Sequence, residues 1–266
     1  NSRLGERRER RSKEAAVLND ISIENFRGFA DLKLNGLGRV NLVVGRNNTG
    51  KTSLLEALHI IASPSSLPQL SGVFRSNWGA VGSRFFKWLV RDGTAVSAAK
   101  FRTKSKGVSL KLELRLREAE AMAAEISVQA DSGLQLAVSD KWPPKIRVRA
   151  ISVQHRAPET MVEAFAEAVR PTEGEAQMES LLRSVDDRVK SIRLDYSQNS
   201  APFIVVDVGL SERVPLSQAG QGIYRLVAIF SELLGQKPQV CFIDEIENGI
   251  HYTVLPQVWK GIAEFA

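Results

Sequence analysis

Ile21 and Ile23, then Leu32 and Leu34, alternate with polar neighbours, and residues 40–44 form a short apolar run rich in valine. The period of two and the β-branched content predict three strands. Gly45 stands directly behind the third, and from Ser53 the apolar positions Leu54, Leu55, Leu58 and Ile61 recur at helical spacing. The order is therefore strand, glycine loop, helix. Ser63, Pro64, Ser65, Ser66 and Pro68 end that helix, and the stretch to Gly82 reads as loop. Between Thr94 and Val153 the period is again two, most clearly at Val108, Leu110, Leu112, Leu114 and Leu116, which interleave with Lys111, Glu113 and Arg115. That pattern predicts a half-exposed antiparallel sheet. Asp131, Ser132 and Gly133 predict a turn, and Pro143 and Pro144 precede another strand at 146–153.

Two helices follow, one with Met161, Val162, Phe165, Ala168 and Val169 on its apolar face and Pro158 at its start, the other with Met178, Leu181, Leu182 and Val185. Strands are expected at 192–196 and 203–208, a helix over 222–234, a short buried-type strand at Val240–Ile243, and a helix over 257–266 without a cap. Because that helix reads as unfinished and the first residue is Asn, the sequence is expected to be a piece of a longer chain.

The composition is ordinary for a globular protein, with 43% hydrophobic and 25% charged residues in 266. The longest apolar stretches, such as 226–230, fall far short of the roughly 18 to 20 residues of a spanning helix, so no membrane segment is expected. Cys241 is the sole cysteine and lies in an apolar strand, which predicts an inert buried thiol and fits a reducing, cytoplasmic setting. The net charge of +6 points toward a polyanion, but half of it comes from Arg3, Arg7, Arg8, Arg10, Arg11 and Lys13 less Glu6, Glu9 and Glu14. Residues 1–17 are thus expected to be a solvated, disordered basic arm. A second basic group, Arg84, Lys87, Arg91, Lys100, Arg102, Lys104 and Lys106 near Trp88 and Phe101, is a candidate nucleic-acid surface, with charged strand faces as the plainer explanation.

The chemistry concentrates at two places. Gly45, Arg46, Asn47, Asn48, Thr49, Gly50, Lys51 and Thr52 match G-x-x-x-x-G-K-[ST] without a departure. Glycines permit the torsions that turn successive N–H groups toward phosphate, and the helix that follows adds its positive end. Lys51 supplies a mobile charge to the outer phosphates, and the Thr52 hydroxyl is a suitable Mg²⁺ ligand beside Ser53. About 190 residues later the strand Val240–Ile243 ends in Asp244 and Glu245, with a turn at Asn248 and Gly249. A strand end of this kind presents Asp244 to Mg²⁺ and Glu245 to the water that attacks a γ-phosphate, with Lys51 as the second catalytic group. Glu247 has no assigned role. Upstream, Ser217, Gly220, Gln221 and Gly222 precede an apolar helix, and a hydroxyl and small residues at a helix start suit an anion, although a plain Ser cap would read the same. Apart from Asp244, Glu245 and Glu247 there is no compact Asp, Glu and His set for nuclease chemistry.

Together these features resemble the ABC-type ATPase heads of the SMC, RecF and OLD class, most closely the OLD-like AAA ATPases linked to bacterial defence. The resemblance rests on Ile23, Glu24, Asn25, Phe26, Arg27, Gly28 and Phe29, on the phosphate loop with Ser53, Leu54, Leu55 and Glu56 behind it, and on IDEIENGIH from Ile243 to His251. It implies an α/β P-loop NTPase with a mixed central sheet, an antiparallel β lobe and an inserted helical segment. The expected divisions are strands and phosphate loop at 18–62, β lobe at 80–153, helices at 158–190, and the second half of the site at 191–266. It further implies ATP and Mg²⁺ as cofactors, Arg27 beside the nucleotide, and homodimers or higher oligomers closed on ATP. Ser217, Gly220, Gln221 and Gly222 would then act in trans as a signature loop, although SQAGQG inserts a residue relative to LSGGQ. Gln154 is a candidate Mg²⁺-sensing glutamine and His251 an interface residue, and the family's switch histidine would lie beyond Ala266. The function implied is an ATP-driven switch for an effector acting on nucleic acid, in defence against phage. The alternatives are a nucleotide-dependent scaffold with little turnover, and a repair-type head that binds DNA directly. The missing Asn-Lys-x-Asp motif disfavours a GTPase.

Overall fold

The computed structural model describes residues 18–63, 88–91, 98–105, 108–117, 123–130, 135–137, 147–151, 158–196 and 201–265. The chain divides into two compact units, Asn1–Val148 and Arg149–Ala266. The basic arm, the turn at 131–133, and Arg84, Lys87, Lys106 and Gln154 lie outside the described residues.

In the first unit the alternating segments form β1 (Asp20–Phe26), β2 (Phe29–Leu34), β3 (Ala98–Ser105), β4 (Val108–Arg117), β5 (Ala123–Ala130) and β6 (Gln135–Ala137), and the apolar-periodic stretch forms helix α1 (Lys51–Ala62). The six strands make one sheet in the order β2-β1-β3-β4-β5-β6, with every neighbouring pair antiparallel. Register follows burial. Ile23 faces Phe101, which in turn faces Leu112, and Ala99 faces Leu114, all of them buried. Phe26 and Phe101, fully buried, meet edge to face with ring centroids 5.2 Å apart. Such a pair adds about 1 kcal/mol beyond the area it buries. Helix α1 packs against β3.

Three expectations are corrected here. Residues 40–44 are not a strand: Val40 is 43% exposed, Leu42 60%, Val43 39% and Val44 77%. An apolar run becomes a strand only where a neighbour offers a ladder of N–H and C=O groups, and none of the sheets among the described residues takes in residues 40–44. The opening strands and the β lobe, expected as separate parts, are one sheet, because β1 pairs directly with β3. The mixed central sheet is replaced among the described residues by three sheets, of six, three and two strands.

The second unit begins with β7 (Val148–Ile151), followed by helices α2 (Pro158–Val169) and α3 (Gly174–Val185). The hairpin β8 (Ser191–Asp195) and β9 (Phe203–Asp207) pairs antiparallel, and β10 (Val214–Pro215) adds to β9. A 3-10 turn, Leu216–Gln218, leads into α4 (Gln221–Ser231), whose last turn passes into a π-helical turn at Glu232–Gln236. Strand β11 (Val240–Ile243) pairs with β7, and a 3-10 turn, Tyr252–Val254, opens α5 (Leu255–Phe265). Met161, Phe165, Met178, Leu182, Ile192, Val206, Leu226, Val227, Phe230 and Val258 share one core. The helix patterns hold because their apolar faces meet there. Cys241, expected buried, is half-buried, because β11 has its only described pairing with β7.

Candidate functional site

The phosphate loop lies in the first unit. Asn48 and Gly50 both have left-handed backbone, φ 64° and 95°. At Gly50 a Cβ would come within 3.0 Å of the Phe29 ring, so this residue must be glycine on torsion and space together. Thr49 Oγ1 donates to the Arg46 carbonyl at 2.8 Å and ties the loop across its base. Lys51 reaches back over the loop, with Nζ donating to the carbonyls of Gly45 at 2.8 Å and Arg46 at 3.0 Å. Helix α1 starts at Gly50 with no side-chain cap and no acid in its first turn. Its first turn therefore offers phosphate the positive dipole end together with the Lys51 ammonium. This arrangement fits a polyphosphate.

Behind the loop, Ser53 and Glu56 are buried on α1. Glu56 Oε2 accepts from Arg27 Nε at 3.0 Å, and Arg27 Nη1 donates to the Trp88 carbonyl at 3.2 Å. Arg27 has φ 53° and bonds through its own N–H to the Leu89 carbonyl at 2.9 Å. The turn between β1 and β2 is thereby locked onto the phosphate-loop helix by a buried ion pair. Arg27, expected beside the nucleotide, is directed here to Glu56, and sequence reading missed Glu56 as its partner. The signal was available: an acid in a helix whose neighbours Leu54, Ala57 and Leu58 are apolar needs a buried cation. One turn on, His59 is buried, and desolvation lowers its pKa from 6.5 to about 4, so the ring is neutral at physiological pH.

The basic group read as a nucleic-acid surface is partly dismantled. Phe101 is fully buried in the sheet and unavailable for stacking, and Arg102 is ion-paired with Glu24 across β1 and β3. Cross-strand pairing claims that charge because the two residues lie on neighbouring strands. Trp88, at 57% exposure, does face solvent.

The acidic residues lie in the second unit. Asp244 is 7% exposed, and its N–H bonds to the Ile151 carbonyl of β7 at 2.9 Å. Glu245 is exposed and has left-handed backbone, φ 47°, a conformation that costs a non-glycine residue about 1 kcal/mol. Turns close behind it through Asn248 N–H to the Glu245 carbonyl and Ile250 N–H to the Glu247 carbonyl, both 3.0 Å. His251 is exposed, with Nδ1 2.8 Å from Thr253 Oγ1 and its ring centroid 4.5 Å from that of Tyr252. It belongs to the start of α5 and not to the acidic pair. Among the described residues no three His, Cys, Asp or Glu side chains group as a metal site.

Ser217, Gly220 and Gln221 are exposed ahead of α4. Gly220 has φ 100°, and α4 carries no side-chain cap and no acid in its first turn. Within the unit this helix start touches the acidic turn: a Cβ on Gly222 would lie 2.9 Å from the Gly249 carbonyl oxygen, and one on Gly249 would lie 3.1 Å from Gln221 Cβ. Arg225 on α4 is buried, and its Nη2 donates to the Asp244 carbonyl at 2.6 Å. Sequence reading missed Arg225 too, although it is the single charged residue in α4.

Residues 17–141 match the AAA ATPase domain family. Among solved structures, an SMC head bound to the C-winged helix domain of ScpA superposes with a TM-score of 0.59 at 12% identity, over 93% of this chain and 86% of that one. The recombination mediator protein RecF with ATP gives 0.53, also at 12% identity, over 94% and 89%. The fold is that of the SMC and RecF ATPase heads. An ATP/GTP phosphatase of Helicobacter pylori is 20% identical to this head over 302 residues, 94% of this chain and 81% of that protein. The DNA replication and repair protein RecF of Geotalea daltonii is 33% identical over 84 residues, 32% of the head and 23% of RecF. No helix among the described residues is long and apolar enough to cross a membrane.

Proposed function

We propose that this head binds and hydrolyses ATP. The observation that carries the reading is the start of α1, where a left-handed Gly50, a helix start without a side-chain cap or an acid in its first turn, and the Lys51 ammonium form a cradle for phosphate. In this reading Gly45 to Ser53 hold the triphosphate, Thr52 and Asp244 hold Mg²⁺, and Glu245 accepts a proton from the attacking water. A P–O bond forms to that water oxygen as the bond to the ADP oxygen breaks. The ion supplies neutralisation of the charge that gathers on the phosphate oxygens. Lys51→Ala should lose nucleotide binding. Glu245→Gln should bind ATP and slow single-turnover hydrolysis by about 100-fold or more, the scale of a lost general base. Full activity in both variants would end this reading.

The likeness to SMC and RecF heads supports a switch in which two copies close on ATP, with Ser217, Gly220, Gln221 and Gly222 of one meeting the γ-phosphate held by the other. The resemblance to OLD-like proteins extends this to control of an effector acting on nucleic acid, in defence against phage and in the cytoplasm. Gln154 belongs to the same proposal as a residue sensing Mg²⁺, and His251 as an interface residue. A second reading, a scaffold that assembles on ATP and turns over little, is favoured by the inserted residue in SQAGQG. ATP-dependent assembly with negligible phosphate release would select it. Direct DNA binding draws on the RecF likeness and would appear as affinity that falls steeply with salt.

A further inference from the structure

The structure ties the helix that begins at Gln221 to the acidic turn at two points, and both are buried or tightly closed. A Cβ on Gly222 would lie 2.9 Å from the Gly249 carbonyl oxygen, closer than real Cβ contacts come, and one on Gly249 would lie 3.1 Å from Gln221 Cβ. One turn along, the buried Arg225 donates from Nη2 to the carbonyl of Asp244 at 2.6 Å. That carbonyl belongs to the peptide joining Asp244 to Glu245, so the guanidinium grips the peptide plane from which the left-handed Glu245 departs. Ile246 and Ile250 sink into the same core as Ile223, Leu226 and Val227 of the helix, which fixes the far end of the turn. A planar guanidinium suits this task, because its donors are fixed in direction and its charge persists at any working pH.

We propose that Arg225 is a positioning residue: it sets the peptide that aims Glu245, and it makes the loop Ser217 to Gly222 and the acidic turn move as one body. The inference rests on the ATPase reading and deepens it. If the loop meets a phosphate held by a second copy, displacement of α4 reaches Glu245 of its own copy through this contact. Closure on one nucleotide thus adjusts chemistry at the other. Arg225 touches neither nucleotide in this scheme and acts through Glu245.

The test uses the whole chain with Arg225→Met, Arg225→Gln and Arg225→Lys. Hydrogen exchange without nucleotide should quicken at residues 244–250 in the Met and Gln variants while the β8–β9 hairpin keeps its protection. Exchange unchanged at 244–250, or raised equally throughout the unit, overturns the tie. With ATP, kcat should fall about tenfold or more in Met and Gln while the dissociation constant for ATP stays within about twofold, and Lys should recover part of the loss. Loss of affinity in step with kcat, or an unaltered kcat, overturns the positioning role. Should Arg225→Met fail to fold, Arg225→Gln carries both arms, since its amide keeps a polar group in the buried position but is two bonds too short to hold the Asp244 carbonyl as the guanidinium does. A wild-type chain that binds no ATP would defeat the ATPase reading, and with it the transmission to Glu245, while the exchange arm still decides whether Arg225 holds the turn.

Discussion

His59, buried on α1, shows how burial selects a protonation state. Burial withholds a proton from His59 in the folded chain, whose pKa is about 4, while the unfolded side chain takes one at 6.5. The unfolded state therefore binds more protons between these values, and folding stability declines as pH drops from 6.5 to 4 and levels off below. The shift corresponds to at most about 3 to 4 kcal/mol. Urea midpoints of the wild type should fall across this window from the His59 contribution, and His59→Leu should reduce the slope. An unchanged slope would place the titration elsewhere. Glu56, one turn earlier on the helix, meets the Arg27 guanidinium at 3.0 Å, a pair whose halves are each expensive to leave alone.

At the scale of elements, the close approach of α4 to the acidic turn makes a direct prediction. Gly222→Ala places a Cβ 2.9 Å from the Gly249 oxygen, so helix or turn must shift. The cost should be about 1 to 3 kcal/mol, read as a lower denaturation midpoint with an unchanged m-value. An alanine without effect would mean that the two segments yield freely. The same elements show what was readable in advance. β11 was found to the residue and the helices α2 and α3 nearly so, because their apolar positions answer to a core inside one unit. The phosphate loop announced itself through fixed residue types, each tied to a torsion or a charge. The run 40–44 misled, since valines state a preference for sheet but cannot supply a neighbouring ladder, and none among the described residues takes the run in. The Arg27–Glu56 pair and the hold of Arg225 on the Asp244 carbonyl could not be read from the motifs, because the partners lie 29 and 19 residues apart and only folding brings them together.

For the whole molecule, the proposed closure on ATP is a statement about mass. Light scattering should give a monomer without nucleotide and a dimer for Glu245→Gln with ATP and Mg²⁺, since blocking turnover holds the closed form. Adding Ser217→Arg should keep nucleotide binding and abolish the dimer, because a long cation would sit where the partner's phosphate is expected. A dimer that persists in that double variant would separate assembly from the Ser217 loop. The first unit carries a further consequence. Its six strands are one continuous fabric, with β1 stitched between β2 and β3 and the Arg27 turn hanging from its end. Packed sheets pass on strain instead of absorbing it. A substitution that parted Arg27 from Glu56 would release the corner between β1 and β2 from the helix behind the phosphate loop, while the six-strand order itself would stand.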